Sequence, residues 1–413
     1  MEEKDYNVEI YLDEIVDEIE AGISEAEAKE DNDTDMLSED LSGLDTFDYS
    51  SVTEPHWLFD RSTLLKSILF MNTAVKNANN FLLKVVKIKY NDGFVEFTVN
   101  TGEIQTFVKV PVINNDNHLS KEYFVSFNSF YLLVRNAGEN ILFRDRDNCL
   151  CVNVLDGEVE VESYNIDNDI FNFNFTVIDE SEPLLCNELT RILKRAIASM
   201  ALAQQPEQNR ICFDDGRAYS NYMYAFTVQS YESKNPFALR TQDAIILSQM
   251  LSDTAAFTWG KKDGAKKGFI FKTVNAMLVI PEIDLKGLQG LYKHVESINE
   301  ELAWFNVPAL SFYRVVTLVK ELLDGDGNVK LLAKDGMLTL SAVCRSGRLS
   351  KFNLAKIPES LNFNTSFQVV ALVKVLNLFR DSAHVQIAVN DMTMMTVKSE
   401  DMWVALAGMM VKE

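Results

Sequence analysis

The 413-residue chain is poor in the residues that build disulfide scaffolds, metal sites and nucleophilic centres, with only 5 Cys and 4 His. Cys149, Cys151, Cys186, Cys212 and Cys344 are too few, and odd in number, for a disulfide framework, which points to a reducing, cytosolic setting. His56, His118, His294 and His384 stand at no ligand spacing with cysteines or carboxylates, so neither a metal nor another cofactor is expected. Cys149-Leu150-Cys151 alternates across a strand and reads as packing. Gly325-Asp326-Gly327 lacks the Gly-Lys-Ser/Thr of a phosphate loop, and Asp214-Asp215-Gly216 reads as a hairpin turn. No nucleophile lies at a recognisable spacing from a base, so the chain is not expected to be an enzyme. A run of about 18 apolar residues is also missing, which excludes a spanning helix. The N-terminus, Met1 to Asp5, has neither the basic nor the apolar stretch of a signal peptide, so a cytoplasmic protein without membrane partners is expected. What remains is ordinary globular composition, 47% hydrophobic and 24% charged, with length for two or three domains.

Positive charge is short as well. The net charge of −22 by itself argues against a nucleic-acid partner. Its distribution reverses that. Residues 1–55 hold 20 of the 61 acidic residues against only Lys4 and Lys29, a net of −18. Residues 56–413 carry 41 acidic and 37 basic residues, a net of −4. Within the leader, Val8, Leu12, Ile15, Ile19 and Ile23 recur at helical spacing among acidic residues, which predicts an amphipathic helix over about 6–29. Residues 30–55 read as a charged linker.

From residue 56 onward the chain repeats itself. Three long helices are predicted over Ser62–Asn79, Asn187–Ala203 and Ala309–Leu323, with starts 122 to 125 residues apart. Their apolar faces are Leu65, Ile68, Leu69, Asn72 and Val75; Leu189, Ile192, Leu193, Ala196, Ile197 and Met200; and Phe312, Val315, Val316, Val319 and Leu322. Shorter helices follow at Phe127–Asn136, Thr241–Leu251 and Ser366–Phe379. Alternating strands fill the gaps, with hairpins at Asn91-Asp92-Gly93 and Lys334-Asp335-Gly336. The expected architecture is α+β: three similar domains over 56–180, 181–305 and 306–413, behind a leader of 1–55.

The helices carry basic residues away from their apolar stripes: Lys66, Lys76, Arg135, Arg191, Lys194, Arg195, Arg314, Lys320 and Lys374, with Arg380 just beyond the last. Repeated in each domain, such faces form a positive surface suited to sequence-independent contact with phosphates. The basic run Gly260–Lys267 joins two strands and is read as rim rather than interface.

Taken together, these residues resemble the bacterial-type DNA polymerase sliding clamp, the β subunit of DNA polymerase III. Arg195–Gln205 is similar to the first helix of that family's second domain. Phe363-Asn364-Thr365-Ser366-Phe367 followed by Val373–Asn377 is similar to its Phe-Asn-x-x-Tyr helix in the third domain, and Val404–Val411 ends the chain as the family ends. The resemblance covers about residues 57–413. It implies three clamp domains with two inner helices and outer antiparallel sheets each, closed head to tail as a homodimeric ring around double-stranded DNA. It adds Gln204 and Gln205 as DNA contacts. It also implies a pocket at Met409, Met410 and Val411 in which short linear peptides of a DNA polymerase and a clamp loader dock.

Three departures stand out. Ser220–Ala225 replaces Thr-Asp-Gly-His-Arg-Leu, Gly408-Met409-Met410-Val411 lacks the terminal proline, and the leader has no counterpart. A divergent, phage-type member acting in the host cytoplasm fits them. Gly43-Leu44-Asp45-Thr46-Phe47 resembles the Gln-Leu-x-Leu-Phe peptide of clamp partners, so the leader has the means to occupy the pocket or the basic face itself. The alternative reading is a regulatory protein on a clamp-like scaffold that binds replication or transcription proteins, uses its leader as a DNA mimic and does not encircle DNA.

Overall fold

The computed structural model describes residues 49, 52–76, 84–113, 118–154, 157–173, 175–200, 210–214, 216–222, 225–231, 236–252, 254–263, 267–283, 288–299, 302–323, 327–343, 349–390 and 394–408. The expected leader helix, Gly43–Phe47, Gln204, Gln205 and Met409–Val411 lie outside them.

One order of elements occurs three times: strand, helix, four strands, helix, three strands. The first repeat runs β1 (His56–Asp60), α1 (Arg61–Lys76), β2 (Val85–Asn91), β3 (Phe94–Asn100), β4 (Gln105–Pro111), β5 (Tyr123–Ser126), α2 (Phe127–Arg135), β6 (Asn140–Arg146), β7 (Cys149–Val154) and β8 (Gly157–Glu162). A 3-10 turn (Asn168–Phe171) and the short strand β9 (Thr176–Ile178) follow. The second repeat runs β10 (Leu184–Leu185), α3 (Cys186–Met200), β11 (Arg210–Asp214), β12 (Arg217–Tyr222), β13 (Ala225–Ser230), β14 (Phe237–Arg240), α4 (Thr241–Leu251), β15 (Ala256–Asp263), β16 (Gly268–Lys272) and β17 (Ala276–Pro281). Helix α5 (Leu288–Asn299) intervenes. The third repeat runs β18 (Phe305–Pro308), α6 (Ala309–Leu322), β19 (Asn328–Lys334), β20 (Met337–Val343), β21 (Leu349–Lys356), β22 (Phe363–Gln368), α7 (Val369–Asn377), β23 (His384–Val389), β24 (Met394–Lys398) and β25 (Met402–Ala407).

Pairing repeats as faithfully as order. In every repeat the first, sixth, seventh and eighth strands are neighbours in that sequence, and so are the fourth, third, second and fifth. Repeats are then joined by one rule: the eighth strand of a repeat pairs antiparallel with the fourth strand of the repeat before it. β17 pairs β4, with Met277 opposite Phe107, and β25 pairs β13, with Ala405 opposite Phe226. The result is a 9-stranded sheet, in which β9 adds to β15, and an 8-stranded sheet. The rule leaves β8 and β21 at sheet edges, without a neighbour on one side among the described residues.

Local chemistry explains the turns. Asp92-Gly93 and Asp335-Gly336 each adopt two consecutive positive φ angles, 48° and 82°, then 53° and 74°. That is the mirror-image turn whose twist matches the flanking strands, and glycine takes its second position without strain. Gly216 (φ 74°) occupies the matching place between β11 and β12, so the hairpin between second and third strands carries Asp-Gly in all three repeats.

The helices differ from expectation in phase more than in place. α1 begins at Arg61, because Asp60 Oδ1 accepts from Thr63 N at 2.7 Å and caps it. Its buried stripe is therefore Leu64, Ile68, Met71 and Val75, while the expected core residue Leu69 is 40% exposed and Leu65 is half-buried. In α6, Phe312, Val316 and Val319 are buried, but Leu322 is exposed. Phe363–Phe367, expected to open a helix, is strand β22. Its Thr365 and Phe367 point inward on alternate positions opposite β19, and the helix starts only at Val369. Lys261 and Lys262 lie within β15 rather than in a turn. Helix α5 was not expected.

The chain forms two compact units that cut across the repeats. One holds the first repeat with Ile245–Glu282, built on the 9-stranded sheet; its core is aromatic, with Phe59, Phe97, Phe130 and Phe143 in mutual ring contact at 5.4–6.2 Å. The other holds Arg191–Ala244 with Ile283–Glu413, built on the 8-stranded sheet; its core is aliphatic, around Val316, Leu331, Leu340, Leu372 and Val397. The chain passes from one unit to the other inside α3 and inside α4. Fully buried side chains of this size contribute about 1.5–3 kcal/mol each.

Candidate nucleic-acid interface

In the first unit, Lys66 and Lys76 are exposed on α1 and Arg135 is exposed at the end of α2. The two helices are tied there, since Arg61 Nη2 donates to the Arg135 carbonyl at 2.9 Å, and a cation at a helix C-terminus is favourable. Leu69 sits between Lys66 and Lys76 on the same exposed stripe.

In the second unit, Arg191 and Lys194 are exposed on α3, as is Arg314 on α6, while Arg195, Lys320 and Lys374 are half-buried. The solvent face of α6 also carries Leu310 and Leu318, 42% and 47% exposed, so it is less cationic than its bases alone suggest. α4 brings no base. Its Asp243 is fully buried and held by Arg240 through Nε–Oδ2 and Nη2–Oδ1 bonds of 2.9 and 3.0 Å.

Two candidate residues are brought together. Arg191 Nη1 and Arg195 Nη1, one helical turn apart, converge on a single oxygen, Asp401 Oδ2, at 2.5 and 2.9 Å. Ser399 Oγ donates to the other oxygen at 3.3 Å. Burial pushes the Asp401 carboxyl up, but the Arg195 hydrogen bond and the charges of Arg195 and Arg191 outweigh it and hold the group below its ordinary value. Both partners are placed by β13: Gln229 Nε2 donates to the Ile192 carbonyl of α3 at 3.1 Å, and Ser230 N donates to the Asp401 carbonyl at 3.0 Å. Sequence reasoning missed Asp401, which lies 206 and 210 residues from its arginines and carries no local signal.

The segment that departs from the clamp pattern ends β12 and opens β13, where Ser220 and Ala225 are buried and Asn221 is half-buried. Across this sheet lies α5. Tyr292 stacks on Tyr219 at 5.6 Å, the Arg217 guanidinium lies 4.9 Å from the Tyr292 ring, and Arg217 Nη1 reaches Glu296 Oε1 at 2.9 Å. Glu296 also accepts from the Tyr292 hydroxyl. Val295 packs with Cys212, Phe226, Val228 and Ala405, so the helix covers an apolar sheet face. Its own spacing (Leu288, Leu291, Tyr292, Val295) was the available signal.

Burial raises the Cys151 and Cys186 thiols and pushes Cys212 up to about 12, so these stay protonated at neutral pH. Among the described residues no group of three or more His, Cys, Asp or Glu is arranged to hold a metal, and no helix is long and apolar enough to cross a membrane.

No family model matches the chain, and no curated protein sequence does. Solved structures do. A DNA polymerase sliding clamp from Pseudomonas aeruginosa superposes with a TM-score of 0.71 at 14% identity, over 86% of this chain and 99% of that one. A sliding clamp, DNA polymerase III subunit beta, from Bartonella birtlesii gives 0.72 at 14% identity, over 86% and 100%. The chain has the sliding-clamp fold. The clamp of Helicobacter pylori, solved with a DNA ligase peptide, gives 0.68 at 11% identity over 86% and 100%. Sliding-clamp architecture accounts for the threefold element order and for the α+β repeat expected from sequence.

Proposed function

We propose that two copies of this chain close head to tail into a ring around duplex DNA and tether a replicative polymerase, without catalysis. The reading takes 56–180, 181–305 and 306–413 as three clamp domains and the cytoplasm as the place of action. The pairing rule between repeats carries it. Eighth strand joins fourth strand twice within the chain, and the two strands left over, β8 and β21, are an eighth and a fourth. Their chemistry matches. β8 presents Val159 and Val161 on one face and Glu158, Glu160 and Glu162 on the other; β21 presents Phe352 and Leu354, then Lys351 and Asn353. Beside β8 an open groove of about 480 Å³ is lined by Leu132, Leu133, Val159, Val161 and Tyr164, and Leu132 is 55% exposed. Because Arg144 and Arg146 already engage Glu158 and Glu160, apolar burial rather than ion pairing supplies most of the seam.

The exposed bases Lys66, Lys76, Arg135, Lys194 and Arg314, with Arg191 and Arg195, are the groups that would meet phosphates. Peptide ends of a polymerase and a loader would dock near β13 and the C-terminal residues beyond β25; the Helicobacter clamp solved with a DNA ligase peptide supports peptide docking as the mode of partner binding. The test is topological: the protein should be retained on closed circular DNA and lost when that DNA is linearised. Loss from both, or equal binding to both, overturns the reading. The engagement of Arg191 and Arg195 by Asp401 is what favours a second reading, a clamp-like regulator that does not encircle DNA, and the same assay separates the two.

A further inference from the structure

We infer that the Asp401 carboxylate occupies, within the chain itself, the position a DNA phosphate oxygen takes against Arg191 and Arg195, and so sets how weakly this clamp grips DNA. The inference rests on the proposed DNA-facing role of α3. Two guanidiniums one turn apart on a helix, aimed at one oxygen at 2.5 and 2.9 Å, form the arrangement that recognises a phosphate oxygen. Here a carboxylate fills it. The arginine and aspartate side chains remain 49%, 27% and 34% exposed, so the cluster is open to a competing anion.

The carboxylate is presented rather than adrift. Asp401 sits in the turn between β24 and β25, closed by Ser399 N donating to Met402 O at 2.8 Å, and its backbone is fastened to β13. α3 is fastened to the same strand through Gln229. A phosphate arriving at Arg191 and Arg195 must therefore displace or share Asp401, and one of the two positive charges is spent before DNA appears. A processivity factor has reason to be built this way, because a ring holds DNA by enclosure, and strong phosphate contacts would only slow its sliding.

The experiment is equilibrium binding of a fluorescent duplex across a range of salt concentrations, with the full chain. Asp401→Asn and Asp401→Ala should bind tighter, roughly eightfold at about 0.1 M salt for one phosphate contact regained, with the log–log salt slope steeper by about 0.9. Glu400→Gln, the same change in net charge one residue away, should leave the slope unchanged. Combining Asp401→Asn with Arg191→Ala and Arg195→Ala should abolish the gain, since the coupling requires its partners. An unchanged or shallower slope in both Asp401 variants overturns the inference, as does weaker binding, which would make Asp401 a positioning residue for the arginines. An equal gain from Glu400→Gln overturns it too, by making the effect one of general charge. If Arg191→Ala with Arg195→Ala leaves duplex binding unaltered, it is the DNA-facing role of α3 that fails.

Discussion

At Gly268 the backbone of β16 passes so close to the Ile280 carbonyl oxygen of β17 that any Cβ would collide with it. Backbone cannot move aside as a side-chain tip can, so Gly268→Ala should destabilise the first unit by about 1–3 kcal/mol. Urea denaturation followed by tryptophan fluorescence checks this through Trp57 and Trp259, both buried in that unit. Asp401 gives a pH-dependent counterpart. A carboxyl held below its unfolded value, 3.8, contributes stability that is complete above that value and lost as pH falls through the folded one. The stability gap between the wild type and Asp401→Asn should therefore be constant near neutrality and narrow as pH falls below 3.8 and through the lower folded value; a gap that persists in acid counts against the ion pair. The exposure of Lys66, Lys194 and Arg314 was legible from helical spacing alone. The partner of Arg191 and Arg195 was not, because an acid two hundred residues away leaves no periodic trace.

Short-range chemistry made some elements readable and others not. Asp-Gly hairpins and the full extent of α4 follow from local residues. β22 misled because its Phe-Asn-Thr-Ser-Phe text suits either period, and only the alternation of buried Thr365 and Phe367 against β19 decides it. α5 went unseen because it stands outside the repeat. Its hold on the sheet is concentrated in Tyr292, which stacks on Tyr219 and meets Arg217 and Glu296. Tyr292→Ala should cost about 1–3 kcal/mol and uncover the face containing Phe226, Val228 and Ala405. Urea denaturation measures the first, and increased binding of an apolar dye the second; a stable variant that binds no more dye would mean the helix is held elsewhere.

For the whole molecule, the threefold repeat was visible as equal spacing of helices. The division into two compact units was not, because it depends on which strands pair across repeats, and strand pairing is not written in spacing. The same pairing makes the proposed β8–β21 seam testable. Leu132 is exposed in the single chain, so Leu132→Asp should leave folding intact while placing a charge in the seam's apolar half. Light scattering at micromolar concentration should then report a single-chain mass in place of a two-chain one, with retention on circular DNA lost. A two-chain mass for this variant would locate the contact elsewhere.

The proposed ring, joined by the fourth-to-eighth strand rule, would have two kinds of joint. Those within a chain are backed by covalent connection, and those between chains are not. Only the second kind can serve as a gate. Because both gates of the proposed ring are the same pair of edges, anything that pries one apart would still leave the two chains held by the other, and the ring would swing open about it rather than fall into halves. Opening is then a first-order event with its own lifetime, independent of protein concentration. Full separation requires both gates to be open at once, and for gates that open independently that chance is the square of the chance for one.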